Sequence, residues 1–150
     1  MDRSIQVQPF LPRNLDRIVA IEQASFGNEA WDAKLLLEYF RNSPELFFVA
    51  KIGRRIAGYV LTVNLGNSRS AELVSIAVDP RERHRGVGRA MLDATRAQLC
   101  SRRIKTWWLM VGIANETALC FYERYGFTRT RVVKRYYGAG RDAWRMRMIL

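Results

Sequence analysis

"AVDPRERHRGVGRAML", residues 77–92, passes from an apolar strand end through a basic loop into a helical pattern. Arg81, Arg83, Arg85 and Arg89, with His84, crowd around Gly86 and Gly88 where that helix begins. A helix start carries unpaired N–H groups and a partial positive charge, and glycine lets an anion approach the backbone closely. Gly86 and Gly88 supply the clearance, Arg83, Arg85 and Arg89 add full charges, and His84 adds a donor. The stretch fails G-x-x-x-x-G-K-[ST], and it fails G-x-G-x-x-G because Met91 stands where the third glycine belongs. A pyrophosphate from some other cofactor is the expected ligand. The alternative is an ordinary basic turn ahead of a glycine-rich helix start.

The rest of the composition is consistent with one folded unit. A chain of 150 residues, 49% of them hydrophobic, suits one core, so residues 1–150 are expected to form a single domain. The formal net charge is +11 and lysine occurs only at Lys34, Lys51, Lys105 and Lys134, so the basic balance is mostly arginine. Such a balance favours an anionic partner, and nucleic acid, ribosomal surfaces and phosphorylated cofactors all stay open on charge alone. Cys100 and Cys120 lie in helical patterns without a CxxC pair or a histidine cluster. They are expected to be buried or half-buried free thiols, and no metal site is expected. With no signal-peptide pattern and no apolar run of about 18 residues, the expected compartment is a reducing cytoplasm, with no membrane contact.

Strand and helix signals alternate along the chain. Ile5 and Val7 mark a first strand, and Pro12 opens a helix with Leu15, Ile18, Val19 and Ile21 on its apolar positions. Asp32 is the expected N-cap of a second helix that turns Leu35, Leu36 and Phe40 inward. "LFFVAKIGRRIAGYVLTVNL" reads as two strands turning at Gly53, and "AELVSIAVD" as a third after the loop "GNSRS". A helix to about Ser101, a strand "KTWWLMV", a helix "NETALCFYERYG" and strands around Phe127–Tyr137 and Ala143–Leu150 complete the order β-α-α-β-β-β-α-β-α-β-β. The expected class is α/β (α+β), a mixed sheet of about seven strands flanked by about four helices.

Two segments carry a family resemblance. "RHRGVG" after "SIAVDP" resembles the R-x-x-G-x-G signature of the GNAT superfamily of acetyl-CoA-dependent N-acetyltransferases, and "NETALCFYERYGF" resembles that family's N-x-x-A-x-x-x-Y-x-x-x-G-F segment. "AIEQASFGNEAWDAKLL" and "KRYYGAGRDAWRMRM" resemble the branch that acetylates protein N-termini, including ribosomal-protein alanine acetyltransferases. The resemblance implies acetyl-CoA as co-substrate. It assigns cofactor contacts to Ile76, Ala77 and Val78 on the strand, to Arg83, His84, Arg85, Gly86, Val87, Gly88 and Arg89 in the loop, and to Asn115 and Ala118 beside the pantetheine arm.

The same resemblance makes Tyr122 the general acid that protonates the departing coenzyme A thiolate. Asn115, Ala118, Leu119 and Tyr122 do share a helical face by their i, i+3, i+4, i+7 spacing, and the alternative is a core tyrosine with Asn115 as N-cap. The branch often carries a glutamate in an L-E-V-R-type strand, where this chain has "LMVG", with Met110 at the glutamate's position. Glu72 is the substitute base. It alternates with Val74, Ile76 and Val78 on one strand face, where desolvation raises a carboxylate's proton affinity. Its alternative role is a sheet-edge partner of an arginine. For the acceptor, the resemblance points to Phe26, Glu29 and Trp31 between the first two helices and to Tyr136 and Tyr137 in the last hairpin.

Three functions follow. Acetyl transfer to the α-amino group of a protein or peptide N-terminus, with ribosomal proteins among the candidate acceptors, leads. Transfer to a small amine or a lysine side chain is the second, and a non-enzymatic anion or nucleic-acid-binding module the third. No RRM, KH or helix-turn-helix pattern supports direct nucleic-acid binding. A homodimer and an auxiliary subunit both stay open.

Overall fold

The computed structural model describes residues 4–64, 66 and 68–150. Leu65, at the end of the expected strand after Gly53, and Asn67, in the expected loop that follows it, lie outside the described residues. The seven strands are β1 (Ile5–Pro9), β2 (Phe47–Ile52), β3 (Arg55–Val63), β4 (Ser70–Val78), β5 (Thr106–Gly112), β6 (Thr128–Val133) and β7 (Ala143–Ile149). The α-helices are α1 (Leu15–Phe26), α2 (Ala33–Asn42), α3 (Val87–Ser101) and α4 (Glu116–Tyr125). The sheet order is β1-β2-β3-β4-β5-β7-β6, with β1–β2, β2–β3, β5–β7 and β6–β7 antiparallel and β4–β5 parallel. This is the mixed sheet that the alternating signals imply.

The chain divides into two compact units, Met1–Val63 with Ser75–Gln98, and Asn64–Val74 with Leu99–Leu150. In the first, Gly53 at φ +62 turns β2 back into β3, and the Asp32 carboxylate accepts the Leu35 amide to start α2. Pro12 opens a short 3-10 turn, Pro12–Asn14, and α1 follows at Leu15. The core stacks Phe10 on Phe47 with centroids 4.2 Å apart and closes around buried Ile18, Ile21, Leu36 and Leu61. Gly58 marks a close backbone approach, because a Cβ there would stand 2.7 Å from the Ala77 carbonyl oxygen and 3.0 Å from Met91 Cε. Methionine can swing aside, but the carbonyl cannot. Gly58→Ala is therefore expected to destabilise the fold by about 1–3 kcal/mol, read as a lower urea midpoint at unchanged m-value.

In the second unit, Trp107, Leu109, Val111, Met146 and Met148 form the buried face of β5 and β7. Phe127 packs on Trp107 at 5.2 Å and on Tyr122 at 5.8 Å. Gly126, at φ +128, ends α4 and lets the Gly126 and Phe127 amides both donate to the Tyr122 carbonyl. Two expectations need correction. β6 stops at Val133 instead of reaching Tyr137, because Arg135 takes φ +57 and donates its amide to the Asp142 carboxylate, closing a turn. Tyr136 and Tyr137 thus belong to that turn and not to a strand. Cys100 and Cys120 are exposed and not buried, since each follows a buried leucine, Leu99 or Leu119, and the helix turns the next side chain outward.

Candidate active site

In the first unit, two buried carboxylates fix the approach to the glycine loop. Asp79 accepts the Arg81 amide at 2.9 Å and pairs with Arg17, while Glu82 pairs with Arg55 and lies 3.3 Å from Arg85. Burial alone would raise the Asp79 carboxyl, but the Arg81 amide and the Arg17 and Arg81 guanidiniums hold it below the usual carboxylate range. Arg85 is thus tied back to Glu82, and Arg83 donates to the Val78 carbonyl at 3.3 Å. Arg89 and His84 are exposed.

His84 at φ +62 and Gly86 at φ +85 bend the chain so that buried Val87 starts α3. Only from Ala90, whose amide reaches the Gly86 carbonyl at 3.0 Å, does the intrahelical ladder begin. The amides of Val87, Gly88 and Arg89 are those a helix start leaves for an anion, and nothing stands within 4 Å of where a Cβ on Gly86 would be. On β4, Ile76 and Val78 are half-buried, and Ala77 is buried with its carbonyl against Gly58. The ladder between β4 and β5 joins Ser70–Leu73 to Thr106–Leu109, so Ile76–Val78 lie beyond its end.

The segment between α1 and α2 presents Phe26 and Glu29 to solvent, and half-buried Trp31 stacks on Tyr39 at 5.1 Å. Sequence reasoning missed what holds this segment. Glu22, 2% exposed, accepts the Trp31 amide at 2.9 Å and the Tyr59 hydroxyl, which also lies 2.9 Å from Ser75 Oγ on β4. The available signal was phase, because Glu22 falls on the same α1 stripe as Ile18 and Ile21.

Glu72, Tyr122, Tyr136, Tyr137, Asn115 and Ala118 all belong to the second unit, where Tyr137 lies near Tyr122 and Asn115 with Ala118 forms the first turn of α4, while Glu72 stands on β4 on the face away from Trp107 and Phe127. Glu72 lies in a central strand, not at an edge, with Trp108 as its partner on β5. Desolvation raises its carboxyl above the ordinary value, and the Arg145 charge offsets part of that rise. Tyr122 is buried, and that burial, with the Tyr137 phenol nearby, pushes its own phenol up, so the hydroxyl stays protonated. Tyr137 donates to the Met110 carbonyl at 3.3 Å and stands at right angles to Tyr136, centroids 4.8 Å apart. Asn115 caps α4 by accepting the Ala118 amide at 3.2 Å. Among the described residues no group of histidine, cysteine and carboxylate side chains could hold a metal.

A mixed sheet with an anion-ready helix start after its central strand defines an α/β enzyme that takes a phosphate-bearing cofactor. The chain belongs to the acetyltransferase (GNAT) family, whose model matches residues 15–127. It is similar to an uncharacterized protein of Mycobacterium leprae, 34% identical over 95% of this chain, although the chain spans only 40% of that relative's length. An N-alpha-acetyltransferase of Sulfurisphaera tokodaii is 28% identical over 89% of this chain and 86% of its own. The crystal structure of the ribosomal-protein-S18-alanine N-acetyltransferase from Escherichia coli superposes with a TM-score of 0.83 at 28% identity, covering 97% of this chain and 94% of that one. The chemistry of the family is acetyl-CoA-dependent N-acetylation, and acetyl-CoA is the donor. The open first-turn amides of α3 fit its pyrophosphate.

Proposed function

We propose that the chain transfers the acetyl group of acetyl-CoA to the α-amino group of a protein or peptide N-terminus, working as a single domain over residues 1–150. The observation that carries this reading is the set within the second unit: a desolvated carboxylate, Glu72, a buried phenol, Tyr122, and an exposed tyrosine pair anchored to β5. The activities for which the N-alpha- and S18-alanine relatives are named support it.

An ammonium cannot attack, so Glu72 takes a proton from the incoming amine. The neutral nitrogen attacks the thioester carbonyl carbon, a C–N bond forms and the C–S bond breaks. Tyr122 gives its proton to the departing thiolate, and the proton that the nitrogen sheds as the amide forms restores the phenol. In the first unit, Val87, Gly88 and Arg89 offer amides to the pyrophosphate, and Ile76–Val78 lie along the pantetheine arm. Of the proposed acceptor contacts, Phe26, Glu29 and Trp31 belong to the first unit, where Glu22 holds the Trp31 amide, and Tyr136 and Tyr137 to the second; Asn115 acts through its cap on α4. The cytoplasm, where acetyl-CoA meets nascent protein N-termini, is the compartment this reading implies.

Coenzyme A release measured on free-N-terminus peptides, the same peptides with blocked N-termini and one lysine, and polyamines tests the acceptor class. Turnover confined to free N-termini is expected, and equal or faster turnover of the blocked lysine peptides overturns the reading. For the donor loop, Gly88→Val adds bulk to a first-turn residue without demanding a left-handed conformation. Acetyl-CoA affinity should fall at least about tenfold by calorimetry with the fold retained, since the added side chain bars close phosphate approach.

A further inference from the structure

Strand register in the second unit lays out a charged face next to Glu72. One row across the sheet holds Glu72, Trp108, Arg147 and Thr128, and the next holds Met110, Arg145 and Arg131. Trp107, Leu109, Met146 and Met148 fill the opposite, buried side, so the two rows share the outer one. The Arg145 guanidinium lies 4.7 Å above the Trp108 ring, which holds it flat against the sheet. Arg131 and Arg147 are exposed, while Arg129 pairs with Glu123 and Lys134 with Asp142. Three guanidiniums therefore face Glu72 as the one carboxylate in their rows. An anionic ligand lying across the strands would relieve their mutual repulsion.

We propose that this arginine face selects acceptor chains with acidic residues at about their third to fifth positions. The inference rests on the N-terminal acceptor reading, which puts the α-amine at Glu72. Strands lie about 4.8 Å apart, so Arg147 stands about 10 Å from Glu72 across the sheet and Arg131 about 15 Å. An extended peptide advances about 3.4 Å per residue, which brings its third to fifth side chains within reach of the arginines. A single-stranded nucleic acid would also feel the positive field. The peptide is favoured because a phosphate backbone running along these rows would meet the Glu72 carboxylate at one end, whereas a peptide places its cationic terminus there.

Three short peptides identical except for Glu, Gln or Lys at residues 3 to 5 test the selection by steady-state kinetics. The expected order of kcat/KM is Glu above Gln above Lys, with at least about tenfold between the extremes, carried by KM, and shrinking as KCl rises from about 0.05 to 0.5 M because screening shortens the field. The double variant Arg131→Gln, Arg147→Gln should flatten that order, while Arg131→Lys, Arg147→Lys should keep it. Equal KM for all three peptides, or an order that survives the glutamine variant, overturns the inference while leaving N-terminal acetylation standing. An oligonucleotide of matched charge that binds the face more tightly than the Glu peptide, and loses that binding in the glutamine variant, also overturns it. Acetylation of none of the three, with coenzyme A still released to another amine, removes the N-terminal reading itself.

Discussion

Glu72→Gln should lower turnover roughly 100-fold at pH 7, the scale of a lost general base. The loss should shrink toward pH 9, where solution itself supplies neutral acceptor amine. An α-amine has an ordinary pKa of about 7.7–8.0 and a lysine side chain about 10.4, so a peptide N-terminus should recover at lower pH than a lysine acceptor. Wild-type activity should carry an acidic limb displaced upward from the usual glutamate range, because desolvation raises the Glu72 carboxyl and Arg145 offsets only part of the rise. The variant should lack that limb. Stability supplies an independent check. A carboxyl whose folded pKa is raised binds its proton more tightly in the folded state, so its contribution is full below the unfolded value and is lost as pH rises through the folded one. Glu72→Gln should therefore leave the melting temperature at pH 7 equal or higher, with acetyl-CoA affinity unchanged. A variant with wild-type turnover and pH profile would return Glu72 to the role of a counter-charge for Arg145.

Tyr122→Phe should cost about 100-fold in kcat with little change in the acceptor KM, because a proton delivered to the leaving sulfur acts only in the transition state. Burial keeps the phenol protonated at every working pH, so the wild-type rate should show no limb from Tyr122. The ring packing on Phe121 and Phe127 survives the substitution, which separates chemistry from core packing. Unchanged kcat under conditions where the acetyl-transfer step limits the rate would leave Tyr122 as a core aromatic alone.

Much of the architecture was legible because its signals are local. Asp32 and Asn115 announce α2 and α4 through side chains that reach only three residues ahead, and Gly53 marks a hairpin turn in place. The alternation that sets Glu72 apart from Ala71 and Leu73 is likewise visible in β4 alone. What was hidden depends on distant partners. Glu22 reads as an interruption of an apolar stripe until Tyr59 and Trp31 are seen at its carboxylate. Arg85 reads as a free charge until Glu82, itself buried, is seen to hold it. The early end of β6 depends on Arg135 adopting a left-handed conformation that residue type does not favour, stabilised by Asp142 seven residues on. The outward thiols were within reach of helical phase, since Leu99 and Leu119 occupy the neighbouring inward positions.

Those thiols alter how the enzyme can be watched. A disulfide reagent that colours with released coenzyme A will first titrate Cys100 and Cys120, giving an initial step of two equivalents per chain before any steady slope. The step is useful, since its height counts enzyme molecules in the same cuvette that measures their turnover. Cys120 also sits two residues before Tyr122 on α4, so a reporter dye attached there would ride on the helix that carries the proposed acid while pointing into solvent.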